Sequence, residues 1–187
     1  MKKATLLVLL IFTSLHIVSQ ENEKQYPQDI DKSYELKLNT FSLIAISSLD
    51  VSYEKLINSE SSYGVAIFYK FTDLEGDEIG FPKKFSVTPY YRWFFSESKY
   101  ARGFFVEGFG MLNTYQDIFY NSSNNQDRVE NATGFALGVS VGGKFVTKGG
   151  FSTEVYLGVG RNLIKGNNDS FDLDIVTRFG ISLGYRF

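Results

Sequence analysis

Eight charged side chains recur on one face of strand-like segments, among small residues: Lys37, Glu54, Lys70, Arg92, Glu107, Lys144, Glu154 and Arg178. Charges of both signs suit pairing across a shared interior better than acid–base work, because an unpaired buried charge is costly. Arg92 and Glu107 fall on consecutive strand-like segments and read as an ion pair, not as a catalytic couple. The only histidine is His16, and there is no cysteine. His16 lies in a segment expected to be removed, so a Ser-His-Asp arrangement cannot be built in the mature chain. Disulfides, thiol nucleophiles and thiolate zinc sites are excluded as well. The acidic run Asp73, Glu75, Asp77 and Glu78 lacks the EF-hand spacing and reads as a solvated loop. Gly138–Phe145 (GVSVGGKF) lacks P-loop spacing, and the Asn121 and Asn131 sequons carry no weight. No catalytic residue, cofactor or metal site is expected.

The elements that would position these charges are strands. From Phe179 onward the large apolar residues alternate, as Phe179, Ile181, Leu183, Tyr185 and Phe187, with Arg178, Gly180, Ser182, Gly184 and Arg186 between. Alternation places the two sets on opposite faces of a strand. The same period recurs along the chain. It predicts strands near 35–46, 49–57, 63–71, 83–95, 102–115, 134–146, 151–163 and 171–187, with no major helix. The register blurs at Thr40–Leu43, where a bulge is expected. A second bulge is expected at Pro89, which cannot donate to a ladder. Asn58–Ser62 and 96–101 are turns, and Lys148-Gly149-Gly150 is a tight hairpin. Segments 73–82, 116–133 and 165–170 are longer, polar loops.

Eight strands with short turns at one end and longer loops at the other describe an all-β, eight-stranded antiparallel up-and-down barrel. Its interior is just wide enough for side chains to fill. Which face points inward decides the rest. If the barrel is transmembrane, one Lys or Arg on the lipid face costs about 2–4 kcal/mol near the midplane. Several exceed what a fold stable by about 5–15 kcal/mol can absorb. The charged wall must then face the lumen and the aromatic wall the acyl chains. The inverse, a soluble periplasmic lipocalin-like binder, would pack those rings inside.

Composition agrees with a membrane barrel. Aromatic residues make up 17% of the chain, with 18 Phe, 12 Tyr and 1 Trp, which suits strands and aromatic girdles. Lys2 and Lys3 followed by an apolar run from Ala4 to Phe12 read as a secretory signal over residues 1–19. The run is too short to span a bilayer as a helix. Its removal leaves 17 basic against 21 acidic residues, net −4, with no basic block for nucleic acid. Residues 20–34 are polar and aperiodic and read as a flexible periplasmic lead, with the barrel domain over 35–187.

Three stretches carry a family resemblance: the closing GISLGYRF with Tyr185 and Phe187, PYYRWFF at Pro89–Phe95, and VEGFG at Val106–Gly110. The chain resembles the small OmpA-, OmpX- and OmpW-like outer-membrane barrels of Gram-negative bacteria over Glu35–Phe187. The resemblance implies Sec export and residence in outer-membrane lipid. It also implies delivery by periplasmic chaperones and the barrel-assembly machinery. That machinery would read Phe179, Ile181, Leu183, Tyr185 and Phe187 as the assembly signal. Such barrels include pores, adhesins, enzymes and structural proteins. The expectation is a non-enzymatic monomer with a filled lumen and a structural or surface-interaction role. The alternatives are a narrow channel for small or hydrophobic solutes and the soluble binder.

Overall fold

The computed structural model describes residues 31–72, 81–95, 100–121, 126–165 and 175–187, with backbone alone for 117–121, 126–130 and 165. The segment 1–19 expected as a signal, most of the expected lead and the acidic run Asp73–Glu78 lie outside the described residues.

The strands are β1 (Tyr34–Asn39), β2 (Ser48–Leu56), β3 (Ser61–Lys70), β4 (Lys83–Phe94), β5 (Gly103–Asn121), β6 (Gln126–Val146), β7 (Phe151–Lys165) and β8 (Ile175–Arg186). Each pairs antiparallel with its sequence neighbour, and β1 pairs with β8, so the sheet is a closed up-and-down barrel. The eight-stranded fold is the one expected from the alternation. At the turn end, Thr147 N donates to Phe151 O at 2.9 Å and Gly150 N to Thr147 O at 2.9 Å, closing the tight hairpin. Gly150 takes φ +93°, a conformation that suits glycine.

Four local expectations are corrected. The first strand does not run to residue 46. It stops at Asn39, and Thr40–Ala45 forms a helical turn, α1, where a bulge was expected. Asn39 ends the strand because its side chain leaves the ladder: Oδ1 caps α1 by accepting from Ser42 N at 3.3 Å. Ser47, at φ 50°, turns the chain back into β2, so the first connection spans 40–47 and not Ser47–Ser48 alone.

At Pro89 no bulge forms. Val87 pairs with Leu112 and Tyr90 with Phe109 in one unbroken register, and the β5 side simply omits Thr88 and Pro89. Pro89 keeps its place opposite Val65 on β3. A gap in the bonds on one flank accommodates the missing N–H without adding a residue. The irregularities of register fall instead between Lys83 and Phe85 and between Phe135 and Ala136.

The loop expected at 116–133 is mostly ladder. Pairs run from Gln116↔Asn131 to Asn121↔Gln126, beyond Tyr115, where the β4 pairing starts, and beyond Gly134, where the β7 pairing starts. Among the described residues, this end of the β5–β6 hairpin is a two-stranded ribbon paired with no other strand. Polar composition hid it, because pairing without apolar alternation leaves no period to read.

The barrel is apolar outside. Val65, Ile67, Leu137, Val139, Val141, Val155, Leu157, Val159, Ile181 and Leu183 are exposed around the waist. Exposed rings gather toward the two ends: Tyr53, Tyr63, Trp93, Phe95, Phe104, Phe145, Phe151, Tyr185 and Phe187 near the turns, and Phe41, Tyr69, Phe71 and Phe85 near the loops. Even α1 follows this rule. Phe41, Leu43 and Ile44 face out while Ser42 is buried.

Candidate functional site

Among the described residues, buried ionised groups concentrate in the lumen, and strand alternation puts them there. Lys37, Glu54, Lys70, Arg92, Glu107, Lys144, Glu154 and Arg178 are all buried, none more than 6% exposed. All except Lys70 join a single network.

Arg92 on β4 is its hub. Nε donates to Glu107 Oε2 at 2.7 Å, Nη1 to Glu54 Oε2 at 2.9 Å and Glu154 Oε2 at 2.6 Å, and Nη2 to Glu154 Oε1 at 2.8 Å. The planar guanidinium fork makes such multiple pairing possible. Its faces are covered by Tyr90 and Phe105, with centroids 4.6 and 4.3 Å from Cζ.

Lys37 reaches Glu54 and, at 3.0 Å, Glu154. Lys144 donates to Glu54 Oε1 at 2.6 Å. It also lies 3.0 Å from Glu35 Oε2, an oxygen without a directed hydrogen bond, so that contact is electrostatic attraction only. Arg178 Nε donates to Glu107 Oε1 at 2.8 Å. The remaining lone pairs are served by neutral donors. Ser62 Oγ reaches Glu54 at 2.7 Å, and Ser140 Oγ reaches Glu107 at 3.0 Å. Lys70 stands apart near the loop end, donating to Phe81 O at 2.5 Å.

Sequence reasoning missed Glu35, Asp50 and Lys83 as lumen residues, and it set Arg186 on the inward wall of the closing strand without counting it among the lumen charges. Arg186 Nε pairs with Glu35 Oε1 at 2.7 Å, and its Nη2 donates to Ala101 O at 2.9 Å, tying β8 to the 100–101 turn. Alternation could have found Glu35 and Asp50: Glu35 precedes Leu36, and Asp50 separates Leu49 from Val51 as Arg186 separates Tyr185 from Phe187. Lys83 opens a strand at a register irregularity, so its face was not legible.

The interior is less uniformly polar than the alternation suggests. Phe68, Phe94, Phe105, Phe109, Tyr90, Tyr156 and Met111 are buried there. The rings serve the charges: Lys144 lies 5.0 Å from the Phe94 centroid, and Arg178 lies 5.0 and 5.1 Å from Tyr156 and Tyr90. Large rings need small partners opposite, and Gly64 is one. A Cβ there would come within 2.5 Å of Tyr90 Oη and of Tyr53 O.

The lumen is cross-braced by ion pairs. Glu54, Glu107 and Glu154 are each held by at least two cations. Among the described residues, no three His, Asp or Glu side chains converge as a metal site would require.

Comparison with known families gives one match, covering residues 5–178: DUF3575, described as protein of unknown function. The chain belongs to the DUF3575 family. No curated protein and no solved structure matches it.

Proposed function

We propose that this DUF3575 protein is an integral outer-membrane β-barrel of a Gram-negative bacterium. Its role is structural or surface-interacting, and its lumen is filled and non-enzymatic. One observation carries the reading: the barrel is inside out relative to a soluble one, with ionised groups buried and apolar side chains exposed around the whole wall. Such an apolar wall would be costly in water, where broad apolar patches drive association. An apolar waist between aromatic ends is the pattern of a lipid-embedded barrel. The dimensions agree. The 12 residues of β8, at a rise of about 3.4 Å and a tilt of about 40°, stand roughly 30 Å high, enough for an apolar band of about 25 Å.

The likeness to OmpA-, OmpX- and OmpW-like barrels supports the same address, reached by Sec export and the assembly machinery. The ion network supports a plug, because a water path would have to break charge pairs that hold each other in place. Fractionation tests the address: the protein should sediment with outer membranes and need detergent for release, and release by salt or carbonate alone overturns the assignment. Planar-bilayer recording tests the plug. A quiet membrane is expected, and stepwise current would favour the narrow-channel alternative.

A further inference from the structure

Two lumen cations near the loop end have donors without acceptors among the described residues. Lys83 is 8% exposed, and its ammonium stands 4.4 Å from the Phe68 centroid and 5.5 Å from that of Phe81. No oxygen among the described residues accepts from it. Arg178 commits Nε to Glu107, and its two terminal nitrogens have no acceptor among the described residues.

Both side chains line one cavity of about 20 Å³, room for one or two waters or one small charged group. Asp50 is the only carboxylate among the described residues on its wall, and Asp50 Oδ2 already accepts from Asn39 Nδ2 at 2.8 Å. Among the described lumen residues the cations Lys37, Lys70, Lys83, Arg92, Lys144, Arg178 and Arg186 outnumber the carboxylates Glu35, Asp50, Glu54, Glu107 and Glu154, so positive charge is in surplus.

The cavity also reaches the barrel wall. Thr177 and Phe179 line it, yet they are outward positions on β8, above the point where β1 ends and α1 takes its place. We propose that this cavity binds one carboxylate group, held between Lys83 Nζ and the free edge of the Arg178 guanidinium. A carboxylate offsets surplus positive charge, and its planar oxygen pair matches the guanidinium fork. The carboxylate belongs either to a short free acid or to an alkyl chain leaving through the seam beside Phe41 and Phe179. The site depends on the lumen geometry alone and stands whether or not the barrel lies in a bilayer.

The test is titration of the purified full chain in neutral detergent with [1-13C]acetate and [1-13C]laurate, read from the carboxylate 13C shift. Saturable binding is expected, weakened by about tenfold or more in Lys83→Gln, the effect of removing a charged partner from a buried site. Lys83→Arg should retain binding, as should Lys148→Met at the opposite, turn end. A heat-modifiable gel shift verifies that each variant is folded. Laurate binding well above acetate assigns the carboxylate to an alkyl chain, and equal binding assigns it to a free acid. Absence of saturable binding by the unaltered chain, or equal affinity in Lys83→Gln, overturns the proposal.

Discussion

Arg92 grips Glu154 with both terminal nitrogens, Nη1 to Oε2 at 2.6 Å and Nη2 to Oε1 at 2.8 Å, across the full width of the lumen. The pair joins β4 to β7, strands that are not neighbours in the wall. Its value lies in what its loss would expose. Arg92→Met should destabilise the barrel by about 3–5 kcal/mol, because three carboxylates lose a partner they cannot replace from water. Denaturant unfolding in detergent measures this. A loss below about 1 kcal/mol would show that the network is dispensable.

The glycines divide by what surrounds them. Gly64→Ala should cost about 1–3 kcal/mol, since the new methyl meets Tyr90 and the Tyr53 carbonyl. Gly143→Ala, where a Cβ finds nothing within 4 Å, should be neutral. Equal midpoints for the two variants would contradict the packing described.

The two faces of β8 should respond oppositely to substitution. Leu183 is 40% exposed and Ser182 is buried. Leu183→Arg should abolish the heat-modifiable folded band, the penalty being about 2–4 kcal/mol for a cation on a lipid face. Ser182→Ala should leave the band intact. Identical behaviour of both would reverse the assignment of inside and outside.

Asn39 substitutes for a missing strand. Its Oδ1 accepts from Ile181 N at 3.2 Å, and its Nδ2 donates to Phe179 O at 3.1 Å, satisfying β8 where β1 has ended. Asn39→Ala should cost about 1–3 kcal/mol by leaving buried groups unpaired. Amide hydrogen exchange at Ile181 should accelerate while that at Leu183, still laddered to Leu38, stays slow.

Much of this molecule was readable before its coordinates. Period-two alternation is dictated by the pleat, so the strand number, the order of the wall and the faces of Phe179–Phe187 followed from residue types alone. What escaped was set by single side chains acting off-pattern. Asn39 leaves its ladder to cap α1, and nothing in the YELKLN stretch announces that. Gln116–Thr133 extends as a ribbon without the apolar signature of a covered strand. For the lumen, opposite charges on alternating positions revealed that pairing would occur. The partners depend on barrel stagger, which joins Glu54 to Lys144 across 90 residues and has no trace in local spacing.

The two-stranded end of β5–β6 has a mechanical consequence. Both strands are continuous from the far end of their pairing into the wall, with β5 running 19 residues and β6 running 21. A pull on that end would draw both strands lengthwise past β4 and β7, loading those seams in shear, so that many backbone bonds resist at once instead of parting one by one. A load at that end would therefore be spread along both seams of the wall.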